Sequence, residues 1–323
     1  MKNEFIDFHV HAFPPEMGTA AKGATMLPNE PFWNALMVEE LLPQAEVDES
    51  SAAERGTARK ALRSRSLQGW VSVEQMLRHM DDAGIERVVL QGWYWQRAET
   101  AQAHNAWMAA CVRRYPDRLS AFAAWVPLQE QEPHLSRIED QGFCGLGELH
   151  PGVQGFSLAS EQWLVAAAFA AKRSWPVLLH VTEPVGRPYA PREETDFREL
   201  QAFIESHPSL SIVLAHWGGL VFTHLLNPYI AKRWKHVYFD CAASALLYDA
   251  KVMRLALEVL SAERILFGSD YPLRLYPNDA RQPEFYRFLN SMQEQVKEEL
   301  DWKRISRGNA SRLLGFDRSD EGR

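Results

Sequence analysis

Phe5-Ile6-Asp7-Phe8-His9-Val10-His11 is a short apolar strand that ends in two histidines one strand step apart. Side chains alternate along a strand, so His9 and His11 share a face, and two imidazoles so placed can reach one divalent ion. An H-x-H pair alone is weak evidence in a chain with 11 histidines. Its position at the end of a strand gives it weight.

The same placement recurs along the chain. Pro176-Val177-Leu178-Leu179-His180, Ile212-Val213-Leu214-Ala215-His216 and Ile265-Leu266-Phe267-Gly268-Ser269-Asp270 each run an apolar strand into a ligand-type residue. Taken singly, each reads as a core histidine or a loop-capping aspartate. Taken together, the five residues read as one metal site. Residues so distant in sequence meet only if the C-terminal ends of the strands share one face, which a (β/α)₈ barrel provides.

Working outward, strand signals fall at residues 5–9, 87–91, 119–126, 145–149, 176–181, 211–215, 236–240 and 264–268. Helical patterns fill the gaps, one of them opening with Ser72 and Gln75 in a capping-box spacing and stopping at Gly84. Short apolar strands alternating with amphipathic helices imply parallel pairing, because each crossover needs a helix to cover the sheet. The expected fold is therefore α/β: a (β/α)₈ TIM barrel, one domain over residues 1–323, with a long insertion after strand 1. No G-x-G-x-x-G motif or P-loop follows a strand, so a nucleotide-binding fold lacks its local signal. Residues 12–69 form the insertion, rich in proline, acidic at 46–49 and basic over 55–65. A loop after strand 1 emerges on the catalytic face of a barrel, so a lid or a subunit contact is expected there.

Composition narrows the partners. A net charge of −7 with no long basic run argues against nucleic acid. Cys111, Cys144 and Cys241 are odd in number and widely spaced, which suits free thiols in a reducing cytoplasm. The N-terminal residues lack the charged and apolar regions of a signal peptide, and the longest apolar run, 163–171, is too short to span a bilayer. A cytoplasmic enzyme acting on a small molecule is the expectation.

Five segments carry a resemblance: Asp-Phe-His-Val-His (7–11), Tyr-Pro-Asp-Arg (115–118), Leu-Leu-His-Val-Thr-Glu-Pro (178–184), Leu-Ala-His-Trp-Gly-Gly (214–219) and Leu-Phe-Gly-Ser-Asp-Tyr-Pro (266–272). With them the chain resembles the amidohydrolase superfamily, in particular the amidohydrolase-related family that includes aminocarboxymuconate semialdehyde decarboxylase-like proteins. The resemblance implies that His9, His11, His180 and Asp270 are metal ligands. His216 is then a second-metal ligand or a catalytic group beside the metal. Glu148, on strand 4, corresponds to the position where two-metal members bridge their ions, so one or two ions fit; its other reading is a pairing with an interior cation or with substrate. His150 shares its alternation. Relatives also imply a homo-oligomer, a dimer or larger.

The chemistry expected from this set is a divalent ion, Zn²⁺ first and Mn²⁺ or Fe²⁺ as alternatives, that activates water and polarises a carbonyl. Asp270 is expected to accept the proton of the attacking water, and His216 to stabilise the developing oxyanion. Asp7 is expected to orient a ligand histidine or to cap. Trp93 and Trp95, beyond strand 2, together with Trp217, Arg187 and Arg274, are candidate substrate-binding residues for a planar organic acid. The first expectation is a metal-dependent hydrolase of an ester, lactone or amide. The alternative is a metal-dependent nonoxidative decarboxylase of a small carboxylic acid.

Overall fold

Eight short strands, most of them rich in Val, Ile or Leu, are largely buried on both faces, as parallel strands covered by helices must be. They are β1 (Phe5–Val10), β2 (Ile85–Leu90), β3 (Leu119–Ala121), β4 (Leu146–Leu149), β5 (Val177–Leu179), β6 (Ile212–Leu214), β7 (Val237–Asp240) and β8 (Ile265–Leu266). The computed structural model describes residues 4–18, 27, 29–38, 67–186, 192–276 and 282–316.

Every pairing is parallel and follows chain order, β1-β2-β3 and β4 through β8. Two junctions close the ring. A parallel bridge joins Ala123 to Leu146, with the Ala123 N–H donating to Gly145 O at 2.9 Å. A second joins Val10 to Tyr271, flanked by bonds from Phe8 N–H to Phe267 O and from Asp270 N–H to His9 O, both 2.8 Å. The result is a closed eight-stranded barrel. Ile6, Phe8, Val89, Phe122, Leu178, Val213 and Leu266 pack together. Side chains from strands on opposite sides can meet only across the axis, so this cluster fills the barrel below the site.

Helices cover the outside. The one at Val73–Ala83 begins where Ser72 Oγ accepts the Gln75 N–H at 3.2 Å and ends at Gly84, whose φ of 73° favours glycine. It buries Val73, Met76, Met80 and Ala83, the i, i+3, i+7 stripe that faces the barrel. Asp196 caps Phe197–Ser206 by accepting the N–H groups of Arg198 and Glu199. Among the described residues no helix is long and apolar enough to cross a membrane.

Several elements differ from the sequence expectation. The strands at 119–126, 176–181 and 264–268 are shorter, because their C-terminal residues leave the ladder where the loops turn toward the site. The helix expected near 224–234 is a 3₁₀ stretch, His216–Leu226, followed by a separate helix Pro228–Arg233 capped by Asn227. Pro228 lacks the N–H that continuation requires. Of the insertion, residues 12–18, 27, 29–38 and 67–69 are described. Glu30 accepts the N–H groups of Gln96 and Arg97, and helix Pro31–Val38 follows it. At the other end Gln68 bridges Leu273 and the Arg274 N–H donates to Leu67 O at 2.8 Å. Residues 39–66, on which most of the lid expectation falls, lie outside the described residues.

Candidate metal centre

Two triads of donors sit side by side at the C-terminal mouth of the barrel. His9, His11 and Asp270 form one, and Glu148, His180 and His216 the other; within each, one ligand atom per residue lies within 4.8 Å of the others. The triads touch through Glu148. Its Oε2 lies 3.3 Å from His11 Nε2 and 3.6 Å from His9 Nε2, and its Oε1 lies 2.8 Å from His180 Nδ1 and 3.4 Å from His216 Nε2. Asp270 Oδ1 is 3.4 Å from His11 Nε2, and the two Nε2 atoms of His9 and His11 are 3.2 Å apart.

Each side chain is delivered by local backbone. β1 carries a register irregularity between Asp7 and Val10, just where its histidines turn to the mouth. His180 follows β5 directly. His216 begins a run of five left-handed residues, His216 to Leu220, with φ between 57° and 68°. Non-glycine residues pay about 1–2 kcal/mol each to adopt that conformation, so packing must hold it. Trp217 does so: it is fully buried, with its indole N–H donating to Ser244 Oγ at 2.7 Å. Asp270 also has a positive φ, 66°, which turns its carboxylate back over the mouth.

The donor set attracts positive charge. Burial alone would lower His216, but hydrogen bonding to Glu148 and the charge of Asp270 raise it to about 9. Burial likewise opposes protonation of His9, yet Asp240 and Glu148 hold it well above the usual histidine value. Glu148, which burial would raise, is held well below the carboxylate range by His180 and His9. Four imidazoles and two carboxylates in contact thus demand cationic charge among them, and a divalent ion supplies it through the same lone pairs. These residues fit a metal. Asp7 is set apart: burial raises it to about 7, and its Oδ1 accepts the N–H groups of His9 and Ser269 at 3.1 and 3.0 Å. It braces backbone and does not touch an imidazole ring.

A cavity opens onto the donors. Glu148, His180, His216 and Asp270 form its floor, and Trp93, Tyr94, Leu246, Leu247 and Leu273 its walls. Trp93 stacks on Tyr94 at 4.2 Å and stands edge-on to His11 at 5.1 Å. Trp95 and Trp217 do not reach the cavity. The Trp95 N–H donates to Trp93 O at 2.8 Å, a tight turn that breaks the alternation and sends the indole into a buried cluster with Phe13, Trp33 and His104. Trp217 is carried away by the left-handed turn. Arg274 is half-buried beside the returning insertion and is not among the lining residues, while Arg187 lies outside the described residues. His150 stacks behind His180 at 4.5 Å, and burial holds it well below the usual value, so it joins neither triad. Sequence reasoning missed Tyr94, Thr182 and Glu183 in the lining, and the ring partner of His9, which is Asp240.

A family model described as amidohydrolase matches residues 6–316. Solved structures give the same fold. A 2,6-dihydroxybenzoate decarboxylase from Rhizobium is 22% identical with a TM-score of 0.65, covering 98% of this chain and 100% of its own. A dihydroxybenzoic acid decarboxylase from Polaromonas sp. JS666, with bound manganese and the inhibitor 2-nitroresorcinol, is 18% identical with a TM-score of 0.63, covering 99% of each chain. A probable 2-pyrone-4,6-dicarboxylic acid hydrolase from Acinetobacter baumannii, with citric acid bound, is 15% identical with a TM-score of 0.60, covering 97% of this chain and 100% of its own. The extent of the family match and the donor set at the barrel mouth lead to one conclusion: the chain belongs to the amidohydrolase family and is a metal-dependent enzyme of that superfamily.

Proposed function

We propose that this enzyme catalyses the nonoxidative decarboxylation of a small, planar carboxylic acid. The observation that carries the reading is the cavity: apolar and aromatic walls meet the metal donors directly, and no lysine or arginine is among its described lining residues. Among the described lining residues, the positive charge a carboxylate meets is that held by the donors. Decarboxylases among the structural relatives support the same choice.

His9, His11, His180 and Asp270 are the proposed ligands, with Glu148 and His216 beside them. These residues would hold a divalent ion, Zn²⁺ or Mn²⁺, which would supply positive charge to anchor a substrate carboxylate. Trp93 and Tyr94 hold the planar ring, and Leu246, Leu247 and Leu273 exclude water from its far face. In that low-dielectric space a carboxylate loses solvation that neutral CO₂ does not need, which favours cleavage of the carbon–carbon bond. The electron pair of that bond stays on the ring carbon. Asp270, whose side chain is 14% exposed, takes a proton from water at the mouth and passes it to that carbon, and His216 stabilises negative charge on the neighbouring oxygen.

Glu148 favours a second reading. A carboxylate with one oxygen toward each triad suits a bridge between two ions, and a two-ion centre suits attack of water on an ester, lactone or amide. The experiment is to load the purified chain with Mn²⁺ or Zn²⁺, count ions per chain, and assay hydroxybenzoates for CO₂ release beside an ester and lactone panel. CO₂ release that stops on chelation supports decarboxylation. Turnover of esters or lactones alone, with two ions per chain, replaces it with hydrolysis.

A further inference from the structure

Asp240 is fully buried at the end of β7 and belongs to neither triad, yet it touches both. Its Oδ2 accepts the His9 Nδ1–H at 2.8 Å. Its Oδ1 accepts the backbone N–H of His216 at 2.9 Å and that of Ala242 at 3.0 Å. The same loop holds the His216 ring, whose Nδ1–H donates to Ala242 O at 3.1 Å. In both histidines Nδ1 is thereby committed as a donor, so Nε2 presents its lone pair to the centre. In His216 the bonded N–H also belongs to the first left-handed residue of the strained turn, φ 57°.

We propose that Asp240 is the positioning residue that sets both triads at once: it fixes the ring tautomer of His9 on β1 and the backbone of His216 after β6. The inference rests on the donor set being a metal site and not on which reaction follows.

The logic depends on a carboxylate having two acceptor faces. An asparagine has one acceptor and one donor face. With its oxygen toward His216 and Ala242, its NH₂ meets His9 Nδ1 and drives the ring proton to Nε2, where the ion must bind. Flipped, its NH₂ meets two backbone donors and releases the His216 turn. Either orientation costs one triad a donor, although the variant keeps the size and shape of the native side chain.

The test uses the full chain, stripped with chelator and titrated with Zn²⁺. Asp240→Asn is expected to weaken Zn²⁺ binding by about tenfold or more. Trp163→Ala, in a buried cluster on the outer side of the barrel wall, is expected to lower the melting temperature while leaving Zn²⁺ affinity within about threefold. In the unaltered Zn²⁺-loaded chain, ¹⁵N-edited spectra should show a slowly exchanging His9 Nδ1–H, a readout that needs no variant. A His9 ring protonated at Nε2, or an Asp240→Asn chain that folds and binds Zn²⁺ as tightly as the native one, overturns the proposal. If the unaltered chain binds no Zn²⁺, the metal-site reading fails and this inference fails with it. Tight Zn²⁺ binding without decarboxylation overturns only the proposed reaction.

Discussion

Glu148 Oε1 lies 2.8 Å from His180 Nδ1, while the other oxygen of the same carboxylate lies 3.3 Å from His11 Nε2. Histidines from opposite sides of the barrel therefore converge on one buried acid. Glu148→Gln keeps the shape and removes the charge that balances an ion. Isothermal titration should show Mn²⁺ affinity reduced by about tenfold or more; an unchanged affinity would place Glu148 outside the coordination shell.

Trp93 links wall and floor, being stacked on Tyr94 and edge-on to His11. Trp93→Phe should leave metal content unaltered and raise KM by roughly fivefold, equivalent to about 1 kcal/mol of aromatic contact. A variant that loses its metal instead would show that Trp93 supports His11 more than it contacts substrate.

His104 is buried and neutral by design: its Nε2–H donates to Ala12 O at 2.8 Å, and its Nδ1 accepts the Trp95 indole N–H at 3.0 Å. Burial lowers its pKa from 6.5 to about 4. A base with a depressed folded pKa leaves the unfolded chain binding more protons between those values. Its contribution is therefore intact above pH 6.5 and lost as pH falls toward 4, a difference of roughly 3 kcal/mol. An NMR titration should find the ring neutral down to about pH 4; a midpoint near 6 contradicts this.

Trp163 separates stability from chemistry. It is fully buried outside the barrel wall, packed on Trp125, Phe156 and Phe203 with centroids 5.3–5.6 Å away. Trp163→Ala should cost about 3–5 kcal/mol in urea unfolding. The native variant should still bind Mn²⁺ normally, and a matching loss of affinity would tie that outer cluster to the centre.

The barrel and its donor-bearing strand ends were legible because both obey short-range rules. An apolar run followed by His180 or His216 needs only alternation and burial to be read. Errors arose where the backbone departs from an extended path. The tight turn at Tyr94 exchanged Trp95 for Tyr94 in the cavity wall, and the left-handed turn at residues 216–220 withdrew Trp217. Asp240 was read only as a substrate contact or a turn-stabilising residue, and its pairing with His9 was missed for another reason. Its partner His9 is 231 residues away, and no local pattern encodes a pairing created by ring closure. Arg274 fell to the same cause, since its loop is pinned by the returning insertion at Leu67.

The seam between Val10 and Tyr271, where the barrel closes, runs through the donor set, with the Asp270 N–H bonded to His9 O. During synthesis the chain must therefore extend past residue 270 before the first triad can exist. A nascent chain carries His9 and His11 long before the Asp270 carboxylate that completes their triad. A fragment ending before Ile265 has neither the seam nor the Asp270 carboxylate, and it should retain Zn²⁺ far more weakly than the full chain in a dialysis experiment.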